Sequence, residues 1–529
     1  MRRSLEVTPR ASYRSAAAFG GLGFAVMTAL GLVSAVVTAR LYGVEVIGEF
    51  ALVTAPVTAV WYLSTARERP AFVRELATLD PRAPRVTGLF AVVAGFSSAL
   101  TAVAAAVAVP LVYAVFHGPV HQPQLFAPAL VGLAGHLVAT NPGWNLDAVL
   151  AGFRAGRELF WIRLHQVAAF LAVAVGLSQV LDSVWGLVLA TVVSYATSLV
   201  HRLVAVRAYM RFAVSRAELR DGLRTLPGLI RFGLKLVPGG VAQGAGNEVG
   251  TWTLGIVASV AAVGTYGRAW TLARRLLEIN WRVNEMLLPT LVERLSTGDA
   301  DGFDRAVVDT TRYCVALLLL PAAAAGGAAV SVMALFGDDF APGANALAIL
   351  LLVPVAVAVV AVQRTTLLAA DRPGLTSIIA IAGALVTTAV TVALTPSLGV
   401  TGAALGLLAG SVFEATWVMR AASRFIHASL LRIWPLHELA ALPAAYLAGF
   451  AAAHAASAAI QGLAGLVPGL VCGSLAFAAV LAAAGGVNAR DRARFAAVRD
   501  SLRTRTRLGA VPGTRAGSRP ERDPQPDRL

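Results

Sequence analysis

Apolar runs of about 20 residues follow one another along almost the whole chain, separated by short polar connections, and each is long enough to cross a bilayer as a helix. Fourteen such runs stand near 15 to 39, 46 to 66, 87 to 115, 125 to 151, 159 to 181, 184 to 206, 234 to 257, 264 to 288, 312 to 335, 344 to 369, 375 to 395, 400 to 422, 436 to 460 and 463 to 486. The fourth and eighth contain polar residues, and the second is interrupted at Pro56. The pattern predicts an all-α polytopic membrane protein with about 14 transmembrane helices. The first run follows Arg2, Arg3, Arg10 and Arg14 as a signal peptide would, but its length fits an uncleaved first helix.

Arginine falls in every second connection: the N-terminus, the stretch with Arg67, Arg69, Arg74, Arg82 and Arg85, then Arg154 and Arg157, Arg202 through Lys235, Arg372, Arg420 to Arg432, and the tail. By the positive-inside rule both termini are expected in the cytoplasm. The exception is 290 to 311, which is more acidic than basic, although Arg274, Arg275 and Arg282 lie just before it. No outer connection is long enough for a folded domain. The basic segment 207–233 carries periodic apolar positions, which suits an amphipathic helix on anionic membrane lipids. The tail 487–529, rich in Arg, Pro, Gly and Asp, is expected to be disordered after a short helix, with lipid as the partner of its charge and polysaccharide-synthesis enzymes as the protein alternative.

Sliding the chain against itself by about 216 to 220 residues brings ordered matches into register. "GVEVIGEF" (43 to 50) faces "SVAAVGTY" (259 to 266), "LAGFR" (150 to 154) faces "LAADR" (368 to 372), and "VWGLVL" (184 to 189) faces "VTGAAL" (400 to 405). Six helices per repeat make the two copies parallel in the membrane. The predicted organisation is a cytoplasmic N-terminus (1–14), an N-lobe of six helices (15–206), the linker 207–233, a C-lobe of six helices (234–425), two extra C-terminal helices (436–486) and the basic tail.

Composition agrees with the hydropathy pattern. Of 529 residues, 57% are hydrophobic and 14% charged, so the net charge of +15 belongs to a membrane surface and not to nucleic acid. Cys314 and Cys472 lie in separate apolar runs and are expected in the core, with no disulfide or metal site. No phosphate loop, nucleophile constellation or cofactor motif is present, and the expectation is a protein that is not an enzyme.

The eighth run breaks the apolar pattern. In "RAWTLARRLLEINWRVNEMLLP", Arg268, Arg275 and Arg282 fall within about 40 degrees of one another on a helix, and Arg274, Glu278 and Glu285 widen the arc to about 120 degrees. A charge facing hydrocarbon costs roughly 3 kcal/mol or more, so the stripe must face protein or a wet cavity. Pairs at i,i+3 and i,i+4 could neutralise one another, but four Arg against two Glu leave an excess suited to phosphate. Glu248, in the Gly-rich "PGGVAQGAGNEVG", is a candidate cation or proton site, or the partner of an Arg on helix 8. "NPGWNLD" interrupts helix 4 and brings Asn145 and Asp147 into the membrane, either as cavity residues or at a simple Pro kink. Arg364 and Glu414, one per helix, are weaker candidates; His136, His165 and His454 read as isolated residues, packed or interfacial.

"TARLYGVEVIGEFAL" (Thr38 to Leu52), with Arg40, Gly43, Gly48 and Phe50, resembles the end of helix 1 in polysaccharide and O-antigen flippases of the multidrug/oligosaccharidyl-lipid/polysaccharide exporter superfamily. "LGIVASVAAVGTYGRAWTL" (Leu254 to Leu272) and "LFGDDFAPGANALAILLL" (Leu335 to Leu352) resemble the start of the second half and of helix 10, and the likeness covers most of 15 to 486. Family members often carry an acid in helix 7 five positions before a Leu-Gly; that place is Gly250 here, and Glu248 stands two residues earlier. The resemblance implies two lobes around a cationic cavity that alternates in access. It implies a polyprenyl-diphosphate-linked oligosaccharide as substrate, moved to the outer leaflet of a bacterial cytoplasmic membrane by a single copy of the chain. A cation-coupled drug exporter of the same superfamily and a polytopic glycosyltransferase or polymerase are the alternatives.

Overall fold

The computed structural model describes residues 13–64, 68–426, 436–460 and 462–486. The tail and the first twelve residues lie outside them. The elements are α1 (Tyr13–Leu63), α2 (Glu68–Leu76), α3 (Pro84–His117), α4 (Phe126–Gly135), α5 (Asn141–Gly152), α6 (Gly156–Ser178), α7 (Val184–Val206), α8 (Arg216–Leu234) and α9 (Val237–Val257). There follow α10 (Val260–Thr297), α11 (Ala300–Gly327), α12 (Ala329–Met333), α13 (Ala344–Leu350), α14 (Val353–Ala369), α15 (Pro373–Ala422), α16 (Leu436–Ala459) and α17 (Leu466–Ala483).

Among the described residues nine helical stretches are long and apolar enough to cross a membrane. Two of them hold two expected spans each. α1 folds back at Gly43 (φ 75, ψ 174) and α15 at Gly399 (φ 54, ψ −130), and positive φ is the reason each corner is a glycine. The expected helices 7, 8 and 13 correspond to α9, α10 and α16. Large apolar side chains such as Val103, Leu111, Leu385 and Leu475 are more than half exposed, as lipid-facing residues must be. Cys314 is buried as expected, whereas Cys472 is exposed on the outward side of α17.

Helix 4 corrects the expectation of an interruption. Pro142 has no N–H to give the carbonyl four residues back, yet the chain does not break. It widens into a single π turn, His136–Thr140, in which the Asn141 N–H donates to the His136 carbonyl, and α4 and α5 continue as one helix through it.

The segment 207–233 is helical only from Arg216. Ser215 begins α8 with a capping box: its N–H donates to Glu218 Oε2 at 2.7 Å, and its Oγ accepts from the Glu218 N–H at 3.2 Å. α8 lies against the start of α3, where Gly88 and Gly222 let the two backbones meet, and leaves Leu219, Leu223 and Leu234 exposed. Arg216, Arg220, Arg224 and Arg231 flank that apolar edge, the arrangement of a helix lying in a membrane interface. α16 and α17 pack on each other and on α11, apart from the seam between the halves.

A charged seam between the two halves

The two halves meet where α1 crosses α9 and α10. At the end carrying Gly43, the repeat-matched glycines pack reciprocally. A Cβ on Gly48 would fall onto the Val260 carbonyl oxygen, and one on Gly264 onto the Val44 carbonyl oxygen. Gly48 matches Gly264 and Val44 matches Val260, so the crossing has the two-fold character a parallel duplication would produce. Arg40 closes the same end: its Nε donates to the Leu335 carbonyl at 2.8 Å and its Nη2 to the Ala334 carbonyl at 3.1 Å, tying the first limb of α1 to the end of α12.

The stripe on α10 runs down this seam from there. Arg268 Nη2 donates to Thr38 Oγ1 at 3.0 Å. Seven residues later, Arg275 lies over Gly31, where a Cβ would stand 2.5 Å from Nη2. Thr38 and Gly31 are themselves seven apart, so an antiparallel helix pair is in register through two Arg contacts across the lobes. Gly31 is what leaves space for the guanidinium. Arg268 Nε is buried without a hydrogen-bond partner among the described residues. Arg275 also pairs with Glu278 at 3.1 Å, with both side chains about a third exposed, so the neutralising i,i+3 pair exists alongside the seam contact. Arg274 is exposed, and Glu248 lies within electrostatic reach of it and of Tyr266. The Tyr266 hydroxyl stands over Gly250, buried and without a partner among the described residues. The side chains of Arg282 and Glu285 lie outside the described residues.

Asn145 and Asp147 do not join this group. Asp147 is 6% exposed and bound within the N-lobe by Arg202, with Nε to Oδ1 at 2.8 Å and Nη2 to Oδ2 at 3.3 Å. Arg202 is completed by Ser198 Oγ at 2.6 Å and Gln166 Oε1 at 3.1 Å. It therefore belongs to the interior of α7 and not to the cytoplasmic connection in which the Arg pattern put it. Asn145 donates to the Asn141 carbonyl at 3.2 Å, and Asn141 accepts from Ser97 at 2.8 Å, both buried.

The C-lobe holds a second pair, which sequence reading left as two single residues. Arg364 on α14 is joined to Glu414 on α15 and reaches Gln243 Oε1 on α9 at 3.4 Å. At the repeat offset Asp147 and Arg202 fall opposite 365 and 418, within a turn of Arg364 and Glu414. Each lobe thus pairs an acid and a base between the same two helices, with the signs exchanged. The repeat register was the signal that could have found both. His165 is not isolated either: its Nδ1 lies 3.3 Å from that of His201.

Each half also holds a cavity, lined in the second by Glu414 but in the first by neither Asp147 nor Arg202. In the N-lobe it lies between the second limb of α1, α4 with its π turn, and α7, and its walls include Thr54, Trp61, His136, Trp144 and Tyr195. In the C-lobe it lies between α9, α10, α14 and α15, where Gln243, Asn247, Ser411 and Glu414 supply the polar groups and Tyr62 reaches in from α1.

Residues 89–345 match the family described as "Polysaccharide biosynthesis protein". The fold is similar to that of "Lipid II flippase MurJ, inward closed conformation", with a TM-score of 0.63 at 11% identity, covering 86% of this chain and 97% of that one. It is also similar to an inward-facing multidrug resistance MATE family transporter of the MOP superfamily, with a TM-score of 0.57 at 13% identity, covering 76% and 96%. No curated protein sequence matches the chain. With the family match confined to its middle and a fold similar to these two structures over most of its length, the chain is a multi-pass membrane protein whose central part is similar to polysaccharide biosynthesis proteins.

Proposed function

We propose that the protein moves a polyprenyl-diphosphate-linked oligosaccharide from the cytoplasmic to the outer leaflet by alternating access, with the Arg stripe of α10 holding the diphosphate. The observation that carries this reading is the seam itself. Arg268 and Arg275 come from one lobe and lie on Thr38 and Gly31 of the other, so parting the lobes would uncover both guanidinium groups at once. Arginine's planar fork suits phosphate oxygens, and the unused Arg268 Nε is a donor in waiting. The excess of four Arg over two Glu would offset the cost of drawing an anionic headgroup into a low-dielectric region. With the prenyl chain left in lipid, a membrane potential negative inside would favour outward passage of the anion by about 2.3 kcal/mol per charge per 100 mV.

In this reading the Gly43 end is the outer one, sealed by Gly48, Gly264 and Arg40, and both termini are cytoplasmic. Glu248, within electrostatic reach of Arg274, tunes the stripe. The drug-exporter alternative draws on the carboxylate of Glu414 in the C-lobe cavity, but that group is committed to Arg364.

The test is flipping of a radiolabelled polyprenyl-diphosphate oligosaccharide in proteoliposomes. The wild-type chain is expected to flip it, and Arg268→Ala and Arg275→Ala, at matched folded protein, to lose at least tenfold in rate. Unchanged rates in both variants would make the stripe a structural seam only. An inert wild type that instead moves cationic dyes would establish the exporter reading.

A further inference from the structure

The N-lobe cavity carries an inference that rests on the flippase reading and refines it. The space measures about 210 Å³. That is less than the roughly 300 Å³ at which pockets for drug-sized ligands begin, so it suits one ring and not a chain of them. Its floor is the π turn. His136 and Thr140, 4% and 7% exposed as whole residues, both line the cavity, and no hydrogen bond to another described residue engages either side chain, so their polar groups are available to an occupant. One turn further on, Trp144 meets Trp61 edge to face at 4.7 Å, forming an aromatic corner over the same space.

The opposite walls add acceptors. Thr54 and Thr191 donate to the Phe50 and Leu187 carbonyls, each at 2.8 Å, which leaves their oxygen lone pairs free toward the cavity they line. An isoprenoid tail would fill this space and leave His136 and Thr140 unmet. A flat aromatic drug would use the Trp corner and again leave them unmet. A pyranose ring has both kinds of surface: an apolar C–H face for an indole and a rim of hydroxyls that need partners.

We propose that this cavity seats one sugar ring of the lipid-linked substrate, with the Trp61–Trp144 corner packing on the ring face and His136 and Thr140 bonding its hydroxyls. The seat and the stripe are then linked by a single helix, because the second limb of α1 walls the cavity while the first limb carries Thr38 and Gly31.

The test is calorimetric titration of the purified full chain in detergent with farnesyl diphosphate and with a panel of farnesyl-diphosphate-linked hexoses and N-acetylhexosamines. At least one sugar-bearing probe should bind wild type tenfold or more tighter than the sugar-free probe. That preference should disappear in the near-isosteric Thr140→Val and in Trp144→Leu, and survive in Trp144→Phe, while the affinity for farnesyl diphosphate stays the same. Arg268→Ala should weaken every probe alike. Equal binding of all probes to wild type overturns the sugar seat and leaves the diphosphate reading standing, as does a preference that persists in Thr140→Val and Trp144→Leu. Failure of every probe to bind overturns both.

Discussion

The two lobes answer one structural demand with opposite signs. In the N-lobe the acid is on the fourth helix and the base on the sixth; in the C-lobe the base comes first and the acid second. Their surroundings differ too. The Asp147 and Arg202 side chains are 8% and 2% exposed and fully hydrogen-bonded, whereas those of Glu414 and Arg364 are 12% and 22% exposed, with Glu414 facing a cavity and Arg364 Nε left unmet. A closed network holds helices together, and an open one has groups left to offer. The N-lobe pair is thus closed to further partners, whereas the C-lobe pair, though joined, borders a cavity and keeps Arg364 Nε without a partner among the described residues.

The sharpest way to break this contrast is to remove one base from each lobe. Arg202→Leu strands a buried carboxylate and is expected to cost about 3–5 kcal/mol, read as a large fall in the detergent melting temperature. The double variant Asp147→Leu with Arg202→Leu should recover most of that loss, since the uncompensated charge is gone. Arg364→Leu should cost clearly less than Arg202→Leu, because Glu414 borders open space; equal losses would erase the distinction between the lobes.

Next in size is the glycine crossing. Gly48→Ala and Gly264→Ala each drive a methyl group into a backbone carbonyl, which cannot swing aside, and each is expected to cost about 1–3 kcal/mol. If the crossing is two-fold, the two losses should agree closely. A cysteine placed at Val260 should also become more reactive to a water-soluble maleimide in Gly48→Ala as that end of the seam loosens. Glu414→Gln comes last. It removes the charge but retains a hydrogen bond to Arg364, and its expected cost is about 1 kcal/mol. A loss as large as that of Arg202→Leu would mean that the C-lobe pair is structural after all.

Much of the fold could be read from the sequence, because lipid forces every span to declare itself in hydropathy. The repeat was readable for a stronger reason: Gly48 and Gly264 face each other across the seam, so one constraint wrote itself twice. The seven-residue spacing of Arg268 and Arg275 likewise survived into three dimensions. What it could not reveal was which helix the stripe meets, since Thr38 and Gly31 carry no charge to mark them. Nor could it pair Arg202 with Asp147, because an arginine about one turn from a helix end looks the same whether it reaches into the lobe or out to water. The π turn was hidden for a related reason. Pro142 announces a lost hydrogen bond, but whether the helix breaks, kinks or widens is decided by its neighbours.

The linker α8 has a mechanical consequence. It is stapled to α3 along Gly88 and Gly222, only Lys235 and Leu236 separate it from α9, and the Lys235 carbonyl is itself held by Ser377 Oγ at 2.7 Å. The lobes are therefore joined by an elbow and not by a leash: its two arms are fastened, one to each lobe, and the slack between them is two residues long. Any rocking of one lobe against the other would have to turn about that point, beside the exposed Leu edge of α8.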